Sequence, residues 1–178
     1  MLYHLSDKWT AFANAGVSFG PLQYFQIAST TNGLKPEKAK TYEIGTHFDG
    51  VNGWGGELTL FNIDFDDELQ LQGGRGGALD AWTNLGATTH RGVESGLRFD
   101  FGSLTNTLAG LTAYATYTFT DAIYQQGAFA GRDLPFYSRH VATLGMRYVR
   151  NRWAFNVDGF AQSKQRSPGN PAQSTVYQ

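Results

Sequence analysis

Leu111-Thr112-Ala113-Tyr114-Ala115-Thr116-Tyr117-Thr118-Phe119 alternates without a break. One set of positions is Leu111, Ala113, Ala115, Tyr117 and Phe119; the other is Thr112, Tyr114, Thr116 and Thr118. Successive side chains of a strand point to opposite faces, so this stretch predicts a ribbon with one apolar and one polar side. Val93, Ser95, Leu97, Phe99 and Phe101 oppose Glu94, Gly96, Arg98 and Asp100 upstream of it. Downstream, Ala142, Leu144, Met146 and Tyr148 oppose Thr143, Gly145 and Arg147. Trp153, Phe155, Val157, Gly159 and Ala161 then oppose Ala154, Asn156, Asp158, Phe160 and Gln162.

Two more stretches lie nearer the start. Tyr42, Ile44, Thr46 and Phe48 oppose Thr41, Glu43, Gly45 and His47. Trp9, Ala11, Ala13, Ala15, Val17 and Phe19 oppose Thr10, Phe12, Asn14, Gly16 and Ser18. Trp54 to Phe65 is ambiguous: Leu58 and Leu60 fall on one face, Phe61, Ile63 and Phe65 on the other. A bulge would reconcile them, and the pattern alone does not choose. The expectation is about seven strands of roughly ten residues, a length that crosses a bilayer when tilted.

The connections alternate in length. Short ones fall near Gly50 to Gly53, Gly102 to Thr107 and Arg150 to Arg152. Long ones run from Gly20 to Glu37, Asp67 to Thr83, Ala122 to Ser138, and from Ser163 onward. Short turns at one end and long loops at the other are the pattern of an outer-membrane barrel. Aromatics gather at strand ends: Trp54, Tyr148 and Trp153 by the short turns, Tyr124, Phe136 and Tyr137 by the long loops. Tyr and Trp favour the interface because the ring is apolar and its polar tip stays wet. Glu94, Arg98, Arg147 and Asp158 all fall on polar faces, where they can line a watery interior.

Composition agrees. Charged residues are 16% and aromatics 15%, against about 25% charge in average soluble domains. Mean hydropathy is −0.35, and no stretch approaches the roughly 20 apolar residues of a spanning helix. The net charge of −1 leaves no electrostatic footprint for nucleic acid. With no cysteine, a disulfide framework and a thiolate metal site are both excluded.

Enzymatic motifs fail on inspection, and no cofactor is implied. Gly73 to Gly77 lacks the Gly-Lys-Ser/Thr of a phosphate loop. Asp64, Asp66, Asp67 and Glu68 lack calcium-loop spacing and read as a strand's exit into water. His4, His47, His90 and His140 have no metal-ligand spacing, and no G-x-S-x-G occurs.

In register along the chain, six blocks resemble the TonB-dependent outer-membrane receptors. They are Ser18 to Tyr24 (SFGPLQY), Leu34 to Gly50 (LKPEKAKTYEIGTHFDG), Leu58 to Gln70 (LTLFNIDFDDELQ), His90 to Gly102 (HRGVESGLRFDFG), Leu111 to Ala122, and Leu134 to His140 (LPFYSRH). Pro36-Glu37, Glu43-x-Gly45 and Arg91-Gly92-Val93-Glu94 carry most of the likeness, and Ser18 to Tyr24 is similar to the ferric-citrate subgroup. The resemblance implies an all-β antiparallel transmembrane barrel in the bacterial outer membrane, 22-stranded with a plug, that imports a ferric siderophore or ferric citrate. Energy would come from the TonB-ExbB-ExbD complex, contacted through an N-terminal region. Residues 1–178 would form one partial barrel domain, about seven of 22 strands without plug, TonB-contacting segment or signal peptide, hence a fragment. The alternatives are a passive porin or structural barrel, which would not carry the Pro36-Glu37 and Arg91 to Glu94 blocks, and a soluble β-sheet binding module.

Such a receptor makes and breaks no bond; it captures an anionic iron chelate. Arginine suits carboxylates because its planar fork donates two parallel hydrogen bonds. The long loops supply Gln23 and Gln26, then Gln70, Gln72 and Arg75, then Gln125, Gln126 and Arg132. The loop from Gln70 to Arg75 is the leading candidate, with glycines on both sides of Arg75 that permit close backbone approach.

Overall fold

Each alternating stretch forms a strand, and each hairpin closes with a turn that its residues allow. The structure, a computed structural model, describes residues 1–28, 33–72, 81–166 and 176–177. The strands are β1 (Leu2–Ser6), β2 (Trp9–Gly20), β3 (Glu37–Val51), β4 (Trp54–Asp66), β5 (Leu69–Gln72), β6 (Ala81–Asn84), β7 (Thr88–Asp100), β8 (Leu111–Tyr124), β9 (His140–Arg150), β10 (Trp153–Gln162), β11 (Gln165–Arg166) and β12 (Val176–Tyr177). One short helix, α1 (Tyr24–Ala28), follows β2.

Eight strands make one antiparallel sheet in the order β1-β2-β3-β4-β7-β8-β9-β10. Once the β5–β6 hairpin is set aside, every neighbour in space is the neighbour in sequence. That is an up-and-down meander, the connectivity of a membrane barrel. The sheet has one strand more than the alternation predicts. β1 is only five residues long and returns through Asp7-Lys8, a turn without glycine or proline.

Short turns cluster at one end. Asn52 and Gly53 join β3 to β4 with φ of 51° and 84°; both central residues are left-handed, as a two-residue type I′ hairpin requires. Asn151, at φ 54°, closes β9 to β10. Long connections lie at the other end, as the sequence predicts. The β4–β7 connection carries its own β5–β6 hairpin, paired from Leu69↔Asn84 to Gln72↔Ala81.

Register settles the ambiguous strand. β4 pairs with β7 without interruption from Trp54↔Phe99 to Phe65↔Thr88, so it contains no bulge against that neighbour. The irregularity falls instead between Phe48 and Val51, beside the turn. Leu58 and Leu60 share a face with Ile44 and Val93, while Phe61, Ile63 and Phe65 share the other with Gly92, His90 and Thr88. The two apolar sets therefore serve two surfaces.

Ala13, Ile44, Leu60, Val93 and Phe119 lie in one cross-strand row, and Phe48, Gly56, Leu97, Ala115, Leu144 and Gly159 in another. The row between these two, and the rows down to the Trp54–Phe99 pair, carry no charge on this face. Trp9 stacks on Phe48 at 5.2 Å, Trp54 meets Phe99 at 4.6 Å, and Trp153 stacks on Phe155 at 5.9 Å. These pairs form an aromatic girdle at the short-turn end. Leu144, Val157 and Val17 are about 70% exposed or more, so among the described residues no second layer covers the apolar face. An exposed apolar band bounded by aromatics is the surface that lipid covers.

The opposite face carries Glu43, His47, Glu57, Glu94, Arg98, Thr112, Tyr114, Thr116, Arg147, Asn156 and Asp158. Glycines on this face make room for large neighbours. The phenol of Tyr114 lies over Gly145, where a Cβ would stand 2.4 Å from the ring. Charges predicted for the wet side are all found there.

Candidate functional site

Among the described residues, the large side chains buried most completely, Leu134 and Thr88, lie at the roots of the long loops. Ala122, Tyr124 and Leu134 form the buried cluster, with Leu85 and Phe129 packed against it. Leu85 comes from the β4–β7 connection, and Phe129 and Leu134 from the β8–β9 connection. A small apolar core thus glues two long loops together above the sheet.

A polar knot sits beside it. At the end of β4, Asp67 adopts φ 55° and turns the chain; Asp tolerates this left-handed conformation better than most residues. Glu68 then starts the loop, its N–H donating to Gly86 O at 3.2 Å and its carbonyl accepting from Leu85 N at 2.8 Å. Its side chain is buried and collects three partners. Thr88 Oγ1 donates to Oε2, His90 Nε2 lies 3.0 Å from Oε2, and Tyr137 Oη donates to Oε1 at 3.1 Å. The His90 ring also packs edge-on against Phe65 at 5.1 Å and Tyr137 at 4.7 Å.

Burial alone would raise the Glu68 pKa. The hydrogen bonds from His90 and Thr88, the positive field of His90 and the Tyr137 hydroxyl outweigh it and hold the carboxyl below its ordinary value of 4.5. Tyr137, which keeps 37% of its surface exposed, moves oppositely: the partial burial of its hydroxyl end, then the Glu68 charge, raise its phenol above the usual range.

Further bonds join the loops. Lys35 N donates to Asn84 Oδ1 at 2.9 Å, and Asn84 Nδ2 donates to Lys35 O at 2.8 Å and Asp67 O at 2.7 Å. Glu37 Oε2 accepts from Leu69 N at 3.0 Å. Phe25 tilts against Trp82 at 6.0 Å. Gln70 Nε2 reaches Pro135 O at 3.5 Å, and Gln125 N donates to Ala87 O at 2.9 Å. The connections after β2, β4 and β8 are one interlocked cap.

Charge is laddered along the cap's flank. Arg91 pairs with Asp121 at 3.1 Å, Arg139 with Asp121 at 3.2 Å and Asp133 at 2.6 Å, and Arg166 with Asp133 at 2.9 Å. Burial would raise Asp133, but hydrogen bonds from Arg166 and Arg139 hold it below the usual carboxylate range. A cavity of about 330 Å³ opens here, where Arg139, Lys164 and Arg166 face Asp133. Three cations against one acid make it net positive.

The family model described as TonB dependent receptor-like, beta-barrel, matches residues 1–178. The chain belongs to the TonB-dependent receptor family. Receptors of this family are bacterial outer-membrane transporters, not enzymes. Among solved structures, the unliganded ferric citrate transporter FecA is similar at 36% identity and a TM-score of 0.69, over 93% of this chain and 25% of that one. The copper transporter OprC matches at 18% identity and 0.70, over 92% and 25%. FyuA, the ferric yersiniabactin uptake receptor of Yersinia pestis, matches at 18% and 0.69, over 99% and 27%. The last two likenesses bear on the fold alone. The chain spans about a quarter of the length of these receptors, so its sheet is part of a larger barrel.

Placed on this receptor segment, the predicted ligand residues separate. Gln70 lies in the cap between two loops. Gln72 closes β5, while Arg75 lies outside the described residues. Gln125, Gln126 and Arg132 are exposed on the neighbouring loop. Gln23 is exposed, whereas Gln26 is buried and its Oε1 accepts from Gln23 N at 2.7 Å. Glu68 corrects the sequence reading of Asp64 to Glu68 as an exit into water, because Glu68 turns inward. The pattern of the sequence does not single out Arg139, Lys164 and Arg166, because three separate segments build their cavity.

Proposed function

We propose that this chain is the loop-bearing wall of a receptor that imports a ferric chelate, ferric citrate foremost, driven by TonB-ExbB-ExbD through a part of the receptor outside this chain. The observation that carries the reading is the 36% identity to a ferric citrate transporter over 93% of the chain. The chemistry of the cap is consistent with it. Gln23, Gln70, Gln72, Arg75, Gln125, Gln126 and Arg132 would supply the donors that meet the chelate's carboxylates. The net-positive cavity at Arg139, Lys164 and Arg166 would raise the local concentration of an anion.

The test uses the whole receptor containing this segment, in cells with no other ferric citrate route. Radioactive iron supplied as ferric citrate should enter only when both receptor and TonB are present. Uptake that persists without TonB would point to a passive pore. No uptake and no ferric citrate binding would assign the receptor to another chelate.

A further inference from the structure

The ligand loops rest on a carboxylate that none of the preceding functional argument uses. Glu68, in the β4–β7 loop, is 6% exposed, yet its carboxylate gathers bonds from β7 and from the β8–β9 loop. Thr88 and His90 belong to the rigid sheet. Tyr137 belongs to the neighbouring loop, 69 residues away. Glu68 itself begins the segment that leads through Leu69 and Gln70 into β5. We propose that Glu68 is a positioning residue: a clasp that fastens the β4–β7 and β8–β9 loops to each other and to the sheet, so that they present their ligand groups as one body.

Three observations support this. A buried carboxylate with several donors is held strongly, because losing one partner leaves an unsatisfied group. The Gln70 to Pro135 bond joins the same two loops, and Leu85 packs against the buried cluster that includes Leu134. The groups facing Glu68 are complementary: Thr88 and His90 from β7 and Tyr137 from the β8–β9 loop. Glu37, the nearby acid of β3, is occupied by Leu69 N. The proposal's functional consequence rests on the ferric-chelate reading; its structural content does not.

The experiment compares the whole receptor with Glu68→Gln and Tyr137→Phe variants, without ligand, by amide hydrogen exchange. Tyr137→Phe removes one hydroxyl and keeps the ring, so it spares the barrel. Amides of 125–139 should exchange about tenfold faster in Glu68→Gln, although that change sits in the other loop, and amides of 67–72 and 81–87 should do so in Tyr137→Phe. Strand amides of β8 and β9 should be unchanged. If each substitution loosens only its own loop, or if all strands loosen together, the clasp is overturned. Ferric citrate affinity is then measured on the same variants. Coupled loosening with weakened affinity supports the clasp and the chelate reading together. Coupled loosening with unaltered affinity supports the clasp and removes ferric citrate as the ligand of these loops.

Discussion

The ring of Phe61 lies over Gly92 on the neighbouring strand, where a Cβ would stand 2.8 Å from the ring and 1.9 Å from the Phe119 carbonyl oxygen. Both residues are on the wet face. The ring can shift, but the carbonyl belongs to the β8 ladder and cannot move without breaking pairing. Gly92→Val in the whole receptor should therefore destabilise the barrel by about 1–3 kcal/mol or more. The check is the urea midpoint of the refolded receptor in detergent. An unchanged midpoint would show that β7 and β8 are less closely apposed than described.

Opposite faces of β9 should respond oppositely to charge. Leu144 is 69% exposed on the apolar band, and Thr143 points to the wet side. A cation at the bilayer midplane costs about 2–4 kcal/mol. Leu144→Arg should lower the yield of folded receptor in the outer membrane, while Thr143→Arg leaves it near wild type. Heat-modifiable mobility of membrane fractions on gels reports both. Equal tolerance at the two positions would contradict the lipid-facing assignment.

The strands that alternate cleanly were legible because a two-solvent wall imposes period two on every spanning residue. Trp54 to Phe65 was not, because near the long-loop end the wet face becomes dry. There Phe65 packs on His90 beneath the loops, so inward residues turn apolar. β1 was missed because five residues carry too short a pattern. The Glu68 knot was beyond reach: its partners are 20, 22 and 69 residues away, and only the folded chain shows that one acid of the run turns inward. For the proposed ligand residues, the sequence supplies donor chemistry and loop membership, and the fold adds a cavity lined by Arg139, Lys164 and Arg166 as a further candidate.

Arg132 is exposed in the β8–β9 connection, and Arg75, outside the described residues, falls between β5 and β6 in the sequence; each guanidinium can donate a charge-assisted fork. Removing one such bond costs about 1.5–3 kcal/mol, or roughly ten- to a hundredfold in affinity. Arg75→Ala should weaken binding of ferric citrate to the purified receptor by that factor and leave its melting temperature unchanged. Titration calorimetry measures the affinity and scanning calorimetry the melting temperature. Unaltered affinity would remove Arg75 from the contact set and shift attention to Arg139, Lys164 and Arg166.

Acid should open the cap before it unfolds the barrel. The Glu68 carboxyl is held below 4.5 in the folded protein, because the bonds from His90, Thr88 and Tyr137 outweigh the cost of burial. A group with a depressed folded pKa binds more protons when unfolded, so its stabilisation is complete above the unfolded value and is lost as pH falls through the folded one. His90, Thr88 and Tyr137 face the carboxylate, and a proton on it converts an acceptor of three bonds into a group that must donate. Lowering the pH from neutral to below 4.5 should therefore release amides of 125–139 while β8 stays protected. Glu68→Gln mimics the protonated side chain, so its loop exchange should already be fast at neutral pH and show a much smaller acid step. An acid step of equal size in Glu68→Gln would assign the transition to other carboxylates of the cap, Asp133 first, since it too is held below the usual range by its arginines.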